Sequence, residues 1–212
     1  VPFLLDACQS AGQMPLPVDE IGCTMLSATG RKYLRGPRGT GFLYVREDWI
    51  ERLEPPLLDL HAATWTGPDT YEVRPDARRF ETWEGHVAGV VGLGVAVDYA
   101  LDRGLEAISE RTRRLARTLR DVLAEVPGVT VRDVGRTRCG ITTFTAGQRD
   151  AAAIRAALRE RAVNVSVSPP SSTRLDAEGR DLPPLVRASV HYYNTEAEVE
   201  RFGAALRTVL GE

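Results

Sequence analysis

Ser27-Ala-Thr-Gly-Arg-Lys32-Tyr-Leu-Arg-Gly-Pro-Arg-Gly-Thr-Gly-Phe-Leu-Tyr44 is the stretch on which the reading of this chain turns. The apolar run over residues 23–28 reads as a strand, and a second strand follows at 42–45. Between them, residues 29–41 hold four glycines and four basic residues. Such a loop can offer backbone N–H groups and positive charge to a phosphate. It is not a Walker loop, because the lysine precedes the glycines and no GxxxxGK[ST] occurs. Lys32 is the sole lysine of the chain, and the other 26 basic residues are Arg. A coding bias that puts Arg wherever surface charge suffices explains the 26, and the bland reading is that Lys32 merely escaped that bias. The chemical reading is that position 32 needs an amine. Arg stays protonated in proteins, whereas a desolvated Lys can lose its proton and form a Schiff base.

Upstream, residues 1–5 form an apolar run ending at Asp6, which reads as a buried strand with a carboxylate at its C-terminal end. Asp6-Ala-Cys-Gln9 thus lies where open α/β sheets place ligands, although Asp after a strand also serves as a turn or cap residue. Downstream, residues 46–53 read as a short helix. Residues 54–79, with Pro55, Pro56, Pro68, Pro75 and Gly67, read as a long loop. A small-residue apolar helix, expected to be buried, runs from His86 to Gly104. Its Gly92-Leu-Gly94 has no strand before it and does not read as a dinucleotide fingerprint. Residues 105–126 form a charged amphipathic helix with Ile108, Leu115, Leu119, Val122 and Leu123 on one face. A smaller α/β unit follows, with strands near 129–133, 140–145, 163–168 and 185–190 and a helix over 150–161. The last helix starts at a capping box of Thr195 and Glu198 and runs to about residue 210. The expected division is 1–104 and 105–212.

The chain has 212 residues, 43% hydrophobic and 26% charged, with a net charge of −2. That composition fits a globular protein rather than a disordered one, and the charge points neither to nucleic acid nor to an anionic membrane. No apolar run approaches the ~18 residues of a membrane span. Cys8, Cys23 and Cys139 are odd in number and without a CxxC. They exclude a disulfide framework or zinc knuckle, leave no metal site, and fit a reducing cytoplasm. The first 50 residues read as the closing strands of a sheet that begins outside this sequence.

Asp6-Ala-Cys-Gln-Ser-Ala-Gly12, Ser27-Ala-Thr-Gly-Arg-Lys32 and Gly36-Pro-Arg-Gly-Thr-Gly-Phe-Leu-Tyr44 together resemble the class V aminotransferase family, which includes cysteine desulfurases, selenocysteine lyases and C–S lyases. The resemblance continues through Arg79-Phe-Glu81, Gly92-Leu-Gly94 and Val186-Arg-Ala-Ser-Val-His-Tyr-Tyr-Asn-Thr-Glu196. It implies a fold-type-I, pyridoxal-phosphate-dependent α/β enzyme. Residues 1–104 would be the C-terminal part of the large cofactor domain, and 105–212 the small domain. It further implies a homodimer and an amino acid substrate. By the same resemblance Lys32 is the Schiff-base lysine, Asp6 the partner of the pyridinium nitrogen, and Gln9 a donor to the ring oxygen. Thr29 matches a phosphate-binding hydroxyl, and Arg187 the arginine that grips the substrate carboxylate.

Three departures from the family pattern shape the expectation. Arg31 stands where many desulfurases have His, and is assigned to phosphate. Thr82-Trp83-Glu84 replaces a Gly-Thr whose Thr reaches the neighbouring subunit's cofactor phosphate, so that contact is expected from the Trp83 N–H, Thr82 or a backbone amide, with Trp83 the assigned residue. Residues 165–173 contain no Cys to accept sulfur. The expected reaction is therefore C–S lyase β-elimination without a persulfide step. The alternatives are transamination or epimerisation by the same residues, an inactive fragment lacking the family's N-terminal half, or a phosphate-binding module built on residues 29–41.

Overall fold

The computed structural model describes residues 1–211, and the chain divides into two compact units, Val1–Glu106 and Ala107–Glu212. In the first unit, β1 (Leu4–Asp6) runs parallel to β2 (Met25–Thr29), which pairs antiparallel with β3 (Gly41–Val45), in the order β1-β2-β3. The register sets Asp6 against Ser27 and Thr29 against Gly41. The ends of the two parallel strands therefore leave the sheet on the same edge, which gathers the residues after Asp6 and after Thr29. Gly41 is required there, because a Cβ would collide with the Ala28 carbonyl oxygen. A short helix, α1 (Val18–Ile21), lies between β1 and β2. β1 is not the buried strand expected: as an edge strand it leaves Leu4 and Asp6 exposed.

The loop expected over 54–79 is corrected. After a four-residue α2 (Glu47–Ile50), this segment forms an antiparallel hairpin of β4 (Ala63–Gly67) and β5 (Thr70–Val73), then a 3-10 turn at Ala77–Phe80. The prolines fall outside the strands: Pro55 and Pro56 precede the hairpin, Pro68 sits in its turn and Pro75 follows it. Thr64-Trp-Thr and Tyr71-Glu-Val supply the β-branched and aromatic residues a strand favours. α3 (Val87–Arg103) buries Gly89, Leu93 and Ala100 but exposes Val87, Val90, Val91 and Val95. The expectation of a buried helix holds for one face only. The first three turns are apolar all round, and the valines exposed there lie away from the face that carries Gly89 and Leu93.

α4 (Leu105–Ala124) opens the second unit, whose sheet has the order β6-β7-β9-β8, antiparallel throughout. Its strands are β6 (Val129–Val131), β7 (Ile141–Ala146), β8 (Ser166–Ser168) and β9 (Leu185–Ser189). Around it lie α5 (Ala151–Glu160), α6 (Arg174–Gly179) and α7 (Glu196–Leu210). Leu115, Leu119 and Leu123 of α4 join Phe144, Leu158, Val186, Phe202 and Leu206 in one core. Phe144 and Phe202 meet edge to face at 6.3 Å. α7 begins at the expected capping box of Thr195 and Glu198. Beside it Arg111 pairs with Glu196 and holds that carboxyl down to about 2.

Candidate active site

Asp6 ends β1, and the backbone N–H of Cys8 donates to its Oδ1 at 2.9 Å. That bond, then the Cys8 thiol and the positive charge of Lys32, hold the Asp6 carboxyl below the ordinary carboxylate range. Asp6 is thus both the turn residue and an ionised carboxylate presented at the sheet edge. The Cys8 thiol lies among Asp6, the main chain of Thr29 and Lys32, and its hydrogen bond to Asp6 pushes its pKa up. It is a neutral thiol inside the cluster, a contact that sequence reasoning missed. Only the register of β1 on β2 reveals it.

The loop carrying Lys32 is fastened at several points. Gly30 N–H donates to Thr40 O at 2.8 Å, Gly36 N–H to Gly30 O at 2.7 Å and Arg35 N–H to Lys32 O at 2.9 Å. The Thr29 hydroxyl reaches Thr40 O at 3.4 Å, a long contact that leaves it available to a better acceptor. Gly12 has φ of 80°, and a Cβ on it would stand 2.7 Å from Leu34 N. The turn after Asp6 therefore packs directly on the lysine loop, which brings Asp6, Cys8, Thr29 and Lys32 together. Gln9 is half-buried, and its side-chain amide has no partner among the described residues. Lys32 is half-buried and Arg31 exposed, and neither has an ion pair among the described residues.

Trp83 is placed differently. Its side chain is exposed, and its backbone N–H donates to Asp59 Oδ2 at 2.6 Å. Asp59 also accepts from the N–H groups of His61 and Ala62, and His61 Nε2 meets Glu81 Oε2 at 2.9 Å. Those bonds fix the 81–84 segment by its main chain, and among the described residues nothing joins Trp83 to the Asp6–Lys32 group. Arg187 belongs to the second unit, on β9 opposite Thr143 and Ser166. It contacts only Ser189 Oγ, at 3.4 Å, and has no carboxylate partner among the described residues. No group of three or more His, Cys, Asp or Glu among the described residues is arranged to hold a metal. None of the described helices is long and apolar enough to cross a membrane.

A strand-end carboxylate, a lysine on the loop after the adjacent parallel strand, and a small antiparallel α/β unit define the class: the fold of fold-type-I pyridoxal-phosphate-dependent transferases. The aminotransferase class-V family model matches residues 1–202, and the chain belongs to that family. A probable cysteine desulfurase of Methanothermobacter thermautotrophicus is 29% identical over 99% of this chain and 53% of its own length. The apo structure of a cysteine desulfurase from Thermococcus onnurineus superposes with a TM-score of 0.92 at 27% identity, over 100% of this chain and 53% of that one. A cystine C–S lyase solved with its product cysteine persulfide shares the fold, with a TM-score of 0.83 at 24% identity over 98% of this chain and 52% of that one. The chain spans about half the length of the curated relatives it matches.

Proposed function

We propose that the chain carries the lysine side of a pyridoxal-phosphate site and serves C–S lyase β-elimination on a sulfur-bearing amino acid. The observation that carries this reading is the placement of Asp6 at the end of β1 and of Lys32, the sole amine side chain of the sequence, on the loop that leaves the adjacent parallel strand β2 at the same end. The donor set fits the cofactor: an ionised carboxylate suits a protonated pyridine nitrogen, and Gln9 and Thr29 have donors to spare. Pyridoxal phosphate would supply an aldehyde for amine capture and a ring that accepts an electron pair from the substrate α-carbon. Within that site Asp6 would keep the ring nitrogen protonated, Gln9 would donate to the ring oxygen, and Thr29 and Arg31 would bind the phosphate. Trp83, exposed on its pinned segment, would serve the phosphate of a second copy in a homodimer. Arg187 holds the substrate carboxylate through its planar fork.

Lys32 Nζ takes the α-proton, the Cβ–S bond breaks, and sulfur leaves with its electron pair as a thiol. The aminoacrylate left by the elimination tautomerises to its imine, which water hydrolyses to pyruvate and ammonium. The absence of Cys from residues 165–173 favours elimination without an enzyme persulfide. Cysteine usage supports a cytoplasmic location. The test supplies cysteine or cystine without any keto acid. Pyruvate and ammonia in equal amounts support elimination, whereas turnover only with a keto acid acceptor would establish transamination instead.

Two expected outcomes belong here. Asp6→Ala should lower kcat by roughly 10³-fold, because an unpaired ring nitrogen weakens the electron sink at the one step the cofactor exists for. Near-normal turnover in that variant would show that the ring is oriented otherwise. Arg187→Ala should raise KM for the amino acid by about 10²-fold, the loss of a charge-assisted pair, without altering cofactor absorbance. Arg187→Lys should recover part of this, since an ammonium cannot make the paired bonds of the fork. An unchanged KM moves the carboxylate site elsewhere.

A further inference from the structure

Arg35, three residues beyond Lys32, has φ of 60°, and no other non-glycine residue described in the first unit has positive φ. This left-handed region is one that Gly or Asn enters easily and a long side chain does not. The strained residue closes a turn, because its N–H donates to Lys32 O at 2.9 Å. Its guanidinium carbon lies 4.8 Å from the centroid of the Tyr99 ring on α3. Arg103, one helical turn further on, approaches the same ring at 5.0 Å. The helix also presses on the loop elsewhere: a Cβ on Gly92 would stand 2.9 Å from Pro37 Cγ, and one on Gly36 3.0 Å from Leu93 Cδ1.

We infer that Arg35 and Tyr99 are positioning residues for Lys32: the cation–π contact holds Arg35 in its left-handed conformation, and that turn sets the approach of the lysine amine. Neither residue touches reacting atoms. The loop already uses Gly at position 39, where φ is 80°, and at 30 and 36, where a Cβ would crowd Thr40 and Leu93. At 35 it keeps a guanidinium despite the strain, and the Tyr99 face offsets that strain. The inference rests on the reading of Lys32 as the amine that meets the cofactor.

The test uses the complete protein and the variants Tyr99→Leu, Tyr99→Phe, Arg35→Asn and Arg35→Gly. Each is incubated with pyridoxal 5′-phosphate, reduced with borohydride at timed points, and mapped for pyridoxyl mass on the Lys32 peptide. In parallel, trace acetylation of Lys32 across pH without cofactor reads the state of the amine. Tyr99→Phe keeps the ring and should label within about twofold of the parent. Tyr99→Leu and Arg35→Asn should label about tenfold more slowly, a modest value for a displaced reacting group, and should shift the midpoint of acetylation. Arg35→Gly relieves the backbone strain, so it folds at least as well, yet it too should label slowly. Parental labelling and an unmoved midpoint in both Arg35→Gly and Tyr99→Leu overturn the inference. If Lys32 of the parent takes no pyridoxyl mass, the reading of the site itself fails. The acetylation arm still decides the loop geometry, because it needs no cofactor.

Discussion

Lys32→Arg is expected to be as inactive as Lys32→Ala, each losing about 10⁴-fold in kcat, the upper range for removal of a general acid–base group. The comparison separates charge from chemistry. Arg keeps the positive charge felt at Asp6, so any role of Lys32 in holding that carboxylate ionised survives. What Arg cannot supply is a free amine, because its guanidinium stays protonated at every working pH. The surroundings favour deep loss over partial rescue. Lys32 sits on a loop cinched by Gly36 N–H to Gly30 O at 2.7 Å and Arg35 N–H to Lys32 O at 2.9 Å, which leaves little slack for another base to take its place. The measurement is kcat together with peptide-mapped pyridoxyl mass after borohydride reduction. Turnover within tenfold of the parent in Lys32→Arg, or a stable pyridoxyl label on another residue, would reassign the amine.

Asp6 and Lys32 stand out as candidates in the sequence because each carries a compositional or positional signal: one ends an apolar run, the other is the sole lysine. The helices α4, α5 and α7 were legible for a similar reason, since their apolar periodicity and the Thr195–Glu198 box are local properties. The β4–β5 hairpin was not, although Gly67-Pro68-Asp69-Thr70 between two β-favouring triplets is a turn signal. The surrounding prolines masked it. The contacts of the Cys8 thiol and the stacking of Arg35 on Tyr99 depend on strand register and on where α3 crosses the loop. Those are tertiary facts with no periodic trace in the chain. The same holds for Asp59, which gathers three backbone N–H groups across 24 residues to fix the segment carrying Trp83.

The largest stability effect is expected from Arg120 in the second unit: Arg120→Met should destabilise it by about 3–5 kcal/mol, the cost of leaving one member of a buried ion pair alone. Arg120 Nε donates to Asp133 Oδ2 at 2.8 Å, and the two side chains are only 10% and 16% exposed. The same guanidinium donates to the carbonyls of Ala116, Cys139 and Ile141 at 3.1, 3.0 and 3.2 Å. One side chain thereby ties α4 to the β6–β7 connection and to the first residue of β7. Met fills the volume but leaves a carboxylate without its countercharge and takes one donor away from each of three carbonyls. Desolvation opposes this, since burying both charges is itself costly. Arg120→Met combined with Asp133→Leu should therefore recover most of the loss. Urea denaturation followed by circular dichroism measures it, as a fall in midpoint at constant slope. A change under about 0.5 kcal/mol in Arg120→Met would mean that the pair is a surface-like contact despite its burial. The consequence reaches Arg187 through the sheet. β7 pairs with β9 at Ile141–Ser189 and Thr143–Arg187, so loosening the Ile141 end frees the strand that presents Arg187. KM for the amino acid should then rise in Arg120→Met while the borohydride label on Lys32 stays, because the lysine belongs to the other unit.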